Sequence, residues 1–201
     1  MRGEALTRSS RISLPPELGN LTALEVFDCS YNQLTSLPPE LGNLTALKEF
    51  DCTDNRLTTL PPELGNLVVL EEFYCTWNKL ISLPPELGNL TALKLFRCGN
   101  NRLTSLPSEL GRLTNLREFD CSWNQLTSLP EEMENLRNLR NLDISFTNIT
   151  AVPHGLLLLP DLFDVTLSNI LNDRCGTWGA MKRQLGHAQS HPSTTRGMFI
   201  F

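Results

Sequence analysis

Clustered positive charge is missing from this 201-residue chain, as are long apolar runs, and histidine occurs only three times. The formal net charge is −5 and is unevenly spread. Residues 172–201 set Asp173 against Arg174, Lys182, Arg183 and Arg196, a balance of +3, which leaves −8 for residues 1–171. An acidic body argues against nucleic acid as a partner, because a phosphate backbone is held by clustered Lys and Arg. The start, MRGEALTRSSRIS, has no apolar core of a secretory leader, so a cytoplasmic location is expected, with delivery into a host cell as the alternative. No membrane span is expected either: GLLLLPDLF falls far short of the roughly 20 apolar residues required and is broken by Pro160. No Ser-His-Asp set, paired acids or phosphate-cradling glycine loop appears in the repeats, a nucleophilic Cys175 with a histidine base in the tail is the enzymatic alternative, and GTWGAMK does not fit G-x-x-x-x-G-K-[ST]. No enzymatic activity, cofactor, metal or small-molecule substrate is therefore expected.

What is present is repetition. A 23-residue unit, L-P-P-E-L-G-N-L-T-x-L-x-x-F-x-C-x-x-N-x-L-T-x, begins at Leu14, Leu37, Leu60, Leu83, Leu106, Leu129 and Val152. Seven copies cover 14–174, preceded by a lead-in at 1–13 (a partial cap or truncated repeat) and followed by 175–201. In F-D-C and its copies apolar and polar residues alternate, which predicts a half-buried strand. Phe27, Cys29 and Leu34 point inward, Asp28 and Ser30 outward. In LPPELGNL the prolines pre-set a short helical or 3-10 turn and the glycine ends it. Such a unit cannot bury its apolar face alone, but stacked copies can.

The core L-x-x-F-x-C-x-x-N-x-L resembles the leucine-rich repeat family, with Phe and Cys at two of the apolar positions. The L-P-x-x-(L/I)-G-N-L style is similar to plant intracellular Ras-group-related repeat proteins and many bacterial ones. The resemblance covers about four-fifths of the chain. It implies an α/β right-handed solenoid, with a parallel β-sheet on the concave face and short helical or 3-10 turns on the convex face. It also implies that Asn32, Asn55, Asn78, Asn101 and Asn124 form a structural ladder whose amides satisfy buried backbone groups. Thr147 and Ile170 replace Asn in the last two copies, so the ladder is expected to fail there and regularity to fade beyond about residue 170.

Cys29, Cys52, Cys75, Cys98 and Cys121 recur at the same interval and occupy an inward position. A straight column about 4.8 Å apart, the strand spacing, does not wrap a tetrahedral metal, and parallel Cβ vectors suit a disulfide poorly. Volume gives the positive reason. Where the first inward residue is Phe the second is Cys, and the sixth copy changes both together, to Leu142 and Ile144. The thiols read as core. The four Asn-x-Thr sequons, at Asn20, Asn43, Asn89 and Asn148, follow largely from the repeat's own turn. In the tail, Cys175, His187 and His191 make a weak metal set, and Trp178, Met181 and Leu185 fit a capping helix better; a poorly ordered end is the alternative.

Function in a stacked array resides in outward strand positions, which vary without harming the stack. One column runs Asp28, Asp51, Tyr74, Arg97, Asp120, Asp143; a second runs Tyr31, Asp54, Trp77, Asn100, Trp123, Phe146. Glu49, Glu72 and Glu118 add acid to one side. Exposed Trp, Tyr and Arg among carboxylates read as an interface. The sequence therefore predicts a non-enzymatic protein-binding module whose concave face takes a protein or peptide with basic segments. The alternative is the recognition part of a larger effector or signalling protein, of ubiquitin-ligase or small-GTPase-scaffold type.

Overall fold

The structure, a computed structural model, describes residues 12–162 and 164–166. Each of the first six repeats opens with an extended proline, such as Pro38 at φ −68° and ψ 138°, which disfavours a helix before it. In the first four repeats a second proline takes the first turn of a 3-10 segment, where its missing N–H loses nothing. These turns span Pro16–Asn20, Pro39–Asn43, Pro62–Asn66, Pro85–Asn89, Ser108–Arg112, Glu131–Asn135 and Gly155–Leu158. Each is closed by a leucine N–H donated back, as from Leu44 to the Leu41 carbonyl.

Three-residue strands follow: β1 (Val26–Asp28), β2 (Glu49–Asp51), β3 (Glu72–Tyr74), β4 (Leu95–Arg97), β5 (Glu118–Asp120), β6 (Asn141–Asp143) and β7 (Asp164–Thr166). They form one parallel sheet in chain order, with Phe27 opposite Phe50 and Phe50 opposite Phe73. The ladder continues past the strands, because Cys29, Tyr31 and Asn32 donate their N–H groups to Asp51, Thr53 and Asp54 of the next repeat. The fold is a leucine-rich repeat solenoid, with strands lining one face and 3-10 turns the other.

The core between them is built in columns. Phe27, Phe50, Phe73, Phe96 and Phe119 stack with ring centroids 5.4 to 5.6 Å apart. Cys29, Cys52, Cys75, Cys98 and Cys121 are wholly buried beside them, with Leu34, Leu57, Leu80, Leu103 and Leu126. Each Leu or Phe so buried contributes about 1.5–3 kcal/mol. Burial pushes the Cys52, Cys98 and Cys121 thiols well above their ordinary range, so they stay protonated and inert. Leu142 and Ile144 fill the same two positions in the sixth repeat.

Two expectations need correction. Ser30 is buried rather than outward, because its N–H turns back to the Asp28 carboxylate at 2.8 Å. The glycine of LPPELGNL does not end its turn; it lies inside it, where neighbouring turns touch. A Cβ on Gly65 would come 2.5 Å from the Glu86 carbonyl oxygen and 2.8 Å from the Glu86 Cβ. The sixth repeat places Glu134 in the glycine column, and the seventh answers with Gly155 in the glutamate column. A Cβ on Gly155 would come 2.7 Å from the Glu134 Cβ, so the contact holds one side chain, contributed by either partner. Ile170 and the whole tail, with Cys175, Trp178, Met181, Leu185, His187 and His191, lie outside the described residues.

Candidate interaction surface

The asparagines hold the turn that follows each strand. Asn78 donates to the Cys75 carbonyl of its own repeat at 3.2 Å and to the Cys52 carbonyl of the preceding one at 3.0 Å. Its Oδ1 accepts the Leu57 N–H at 3.0 Å. Asn55, Asn101 and Asn124 repeat this pattern. Asn32 keeps its bonds to the Cys29 and Ser30 carbonyls, while the position that would donate to its Oδ1, residue 11, is outside the described residues. Thr147 is too short to span repeats and bonds only locally, to the Ile144 carbonyl at 2.7 Å and weakly from the Ile149 N–H.

One position before each of these asparagines, and before Thr147, the backbone enters the left-handed region. Tyr31, Asp54, Trp77, Asn100, Trp123 and Phe146 all have φ between 51° and 55°. That geometry lets two successive N–H groups reach the next repeat, as Trp77 does to Gly99 and Asn78 to Asn100. Asp and Asn adopt it readily, whereas a bulky side chain there is strained. The aromatics accept this strain while standing in solvent: Tyr31 is 53%, Trp77 61% and Trp123 52% exposed. Phe146 is half-buried and stacks on Trp123 with centroids 4.0 Å apart.

The adjoining column has two roles. Asp28, Asp51, Asp120 and Asp143 are half-buried, and each turns one oxygen back to the N–H two residues on, that of Ser30, Thr53, Ser122 and Ser145. This turn-holding role has a sequence signal, Asp followed two residues later by Ser or Thr, that the surface reading passes over. Tyr74 and Arg97 replace Asp in the third and fourth repeats. The Tyr74 hydroxyl donates to Glu72 at 2.5 Å, and Arg97 lies 5.8 Å over the Tyr74 ring and 3.7 Å from Glu118.

Acid accumulates on this side. Glu49 faces Glu72 in register, and its carboxyl is held above the usual range by partial burial, then by Glu72, Asp51 and Asp28. Burial likewise raises Asp143, against the bonds from Ser145 that lower it. A depression of about 260 Å³ opens across β4 to β7, lined by Arg97, Glu118, Asp120, Asp143 and Asp164 among others. The Asp164 Oδ1 is buried there without a hydrogen-bond partner among the described residues. On the other side of the aromatic column runs a basic row, Arg56, Lys79 and Arg102, all exposed. Following the column of Gln33 through the sequence reveals it, but the aromatic and acidic columns draw attention first.

The profile of the leucine-rich repeat region matches residues 40–152, more than half of the chain, and a single leucine-rich repeat matches 23–44. The chain belongs to the leucine-rich repeat family. Among solved leucine-rich repeat structures it is similar to a protein of Leptospira interrogans, at 38% identity and TM-score 0.67, over 69% of this chain and 35% of that one. It is also similar to a plant peptide hormone receptor in complex with its peptide, at 26% identity and TM-score 0.70, over 77% of this chain and 26% of that one. An internalin of Listeria monocytogenes, at 20% identity and TM-score 0.70 over 92% of this chain and 50% of that one, shares the fold. This leucine-rich repeat chain thus spans about a third and about a quarter of the first two proteins. No curated protein matches it. Among the described residues no helix is long and apolar enough to cross a membrane, and no group of three or more His, Cys, Asp or Glu is placed to hold a metal ion.

Proposed function

We propose that the chain is a non-enzymatic polypeptide-binding module whose concave face takes a partner with basic segments. The observation that carries this reading is the exposed row Tyr31, Trp77 and Trp123, set in strained backbone. A stack under selection for stability alone would favour Asn, Asp or Gly at these positions. Exposed Trp and Tyr are the residue types that anchor protein interfaces. The crowded carboxylates around Glu49, and those lining the depression at β4 to β7, favour Lys or Arg on the partner. The plant receptor structure, a peptide complex on a related arc, supports a peptide as the bound species. A second reading, in which the arc is the recognition part of a longer effector or signalling protein, draws on the small share of those two structures that it spans.

The test is selection of peptides from a random display library on the immobilised chain, followed by surface plasmon resonance. Selected peptides are expected to be rich in Lys and Arg. Trp77→Ala with Trp123→Ala should speed their dissociation and cost about 2 kcal/mol or more. Glu63→Lys with Glu86→Lys, exposed on the convex turns, should leave binding intact. Binding lost with the convex pair and kept with the concave pair would place the site on the wrong face.

A further inference from the structure

Resting on that reading, we infer that the partner segment is a proline-rich stretch in the polyproline II conformation, lying along the aromatic column across the strands. The inference comes from spacing. Tyr31, Trp77 and Trp123 occupy the first, third and fifth repeats, and polar Asp54 and Asn100 fill the second and fourth. At the strand spacing of about 4.8 Å, the backbone positions that carry these rings recur roughly every 9.6 Å and the three span about 19 Å. A polyproline II helix has three residues per turn at 3.1 Å each, so one side chain returns to a given face about every 9.3 Å, and two turns cover about 18.6 Å. Three prolines at every third position therefore meet the three rings in step.

Other conformations do not keep this step. An extended β peptide presents a side chain to one face about every 6.8 Å and drifts out of register within two repeats. An α-helix returns to one face about every 5.4 Å, once per repeat, and would set alternate turns on Asp54 and Asn100.

Hydrogen-bonding chemistry agrees. Proline offers the backbone a carbonyl acceptor and no N–H donor, while indole, Lys and Arg are donors without acceptors. Trp77 and Trp123, with the exposed row Arg56, Lys79 and Arg102 alongside, present donors to a backbone that supplies acceptors. The opposite flank, with Asp28, Asp51 and Glu49, meets basic residues next to the prolines. The aromatic column and its acidic flank are complementary to a stiff, proline-rich segment whose basic residues lie on the acidic side.

Calorimetric titration of the full 201-residue chain tests this with three probes. The first is ten prolines flanked by arginines, the second ten alternating Gly and Ser residues with the same arginines, and the third cellohexaose. The proline peptide should bind about tenfold or more tighter than the flexible one, because it is pre-ordered. Trp77→Asn with Asn100→Trp keeps the same residues on the face but breaks their alternation, and should erase that preference while a thermal melt confirms folding. Trp77→Ala alone should weaken the proline peptide as well. Equal binding of the two peptides, or full binding by the rearranged variant, overturns the polyproline inference and leaves the polypeptide reading standing. Failure of the proline peptide to bind also overturns it, and binding of library-selected peptides then shows whether the broader reading survives. Binding of cellohexaose with no peptide bound overturns both.

Discussion

At residue scale the acidic flank carries a measurable tension. Glu49 lies beside Glu72 with Asp51 and Asp28 close by, and its carboxyl holds its proton above the usual range; Asp143 does so through burial. A carboxyl raised in the folded state binds more protons there than in the unfolded chain. Its contribution is therefore favourable below the ordinary carboxylate range and is lost as pH rises through the raised folded value. Glu72→Gln removes one like charge while leaving an acceptor for the Tyr74 hydroxyl. It should bring Glu49 back toward the usual range in a carbon-detected NMR titration, and raise stability at pH 7 more than at pH 4. An unmoved Glu49 titration would mean that burial and the neighbouring Asp51 and Asp28, not Glu72, set its shift. A cationic partner should act in the same direction as the substitution.

At the scale of the element, the Gly–Glu contact between turns makes a sharper prediction. Gly65→Ala forces a Cβ against the Glu86 carbonyl and Cβ and should destabilise by about 1–3 kcal/mol through overpacking. Glu86→Gly on that background copies the exchange seen at Glu134 and Gly155 and should recover part of the loss in urea denaturation. If the double variant is no more stable than Gly65→Ala, the natural exchange is not compensatory. The turn, the strand and the paired Phe and Cys volumes are legible in the sequence, because each follows from periodicity and packing within one 23-residue unit. The reason for the glycine is not, since it depends on how closely the next turn approaches. Ser30 is misplaced by alternation for a related reason: the strand ends at Asp28, and the Asp side chain bends the chain before residue 30.

For the whole molecule, stacking turns each repeat position into a column, so a surface can be mapped before any coordinates exist. That mapping places Asp28, Tyr31, Asp51, Asp54, Tyr74, Trp77, Arg97, Asn100, Asp120, Trp123, Asp143 and Phe146 on one side. The structure brings them together there, but divides their roles. Asp28, Asp51, Asp120 and Asp143 also brace turns, Phe146 supports Trp123, and Tyr31, Trp77 and Trp123 are exposed. Left-handed backbone at the aromatic column was hidden, because Asp54 and Asn100 hint at it while four aromatics argue against it. That conflict between local preference and actual residue is what points to binding. The most direct test is Trp77→Asn, measured for thermal stability and for surface plasmon resonance with library-selected peptides on the same sample. Asn suits the left-handed backbone, so unfolding free energy should rise by about 1 kcal/mol, while the complex should dissociate faster, by about 2 kcal/mol of lost affinity. A variant that is less stable and binds its peptides unchanged would show that Trp77 serves the fold, and would contradict the assignment of this face.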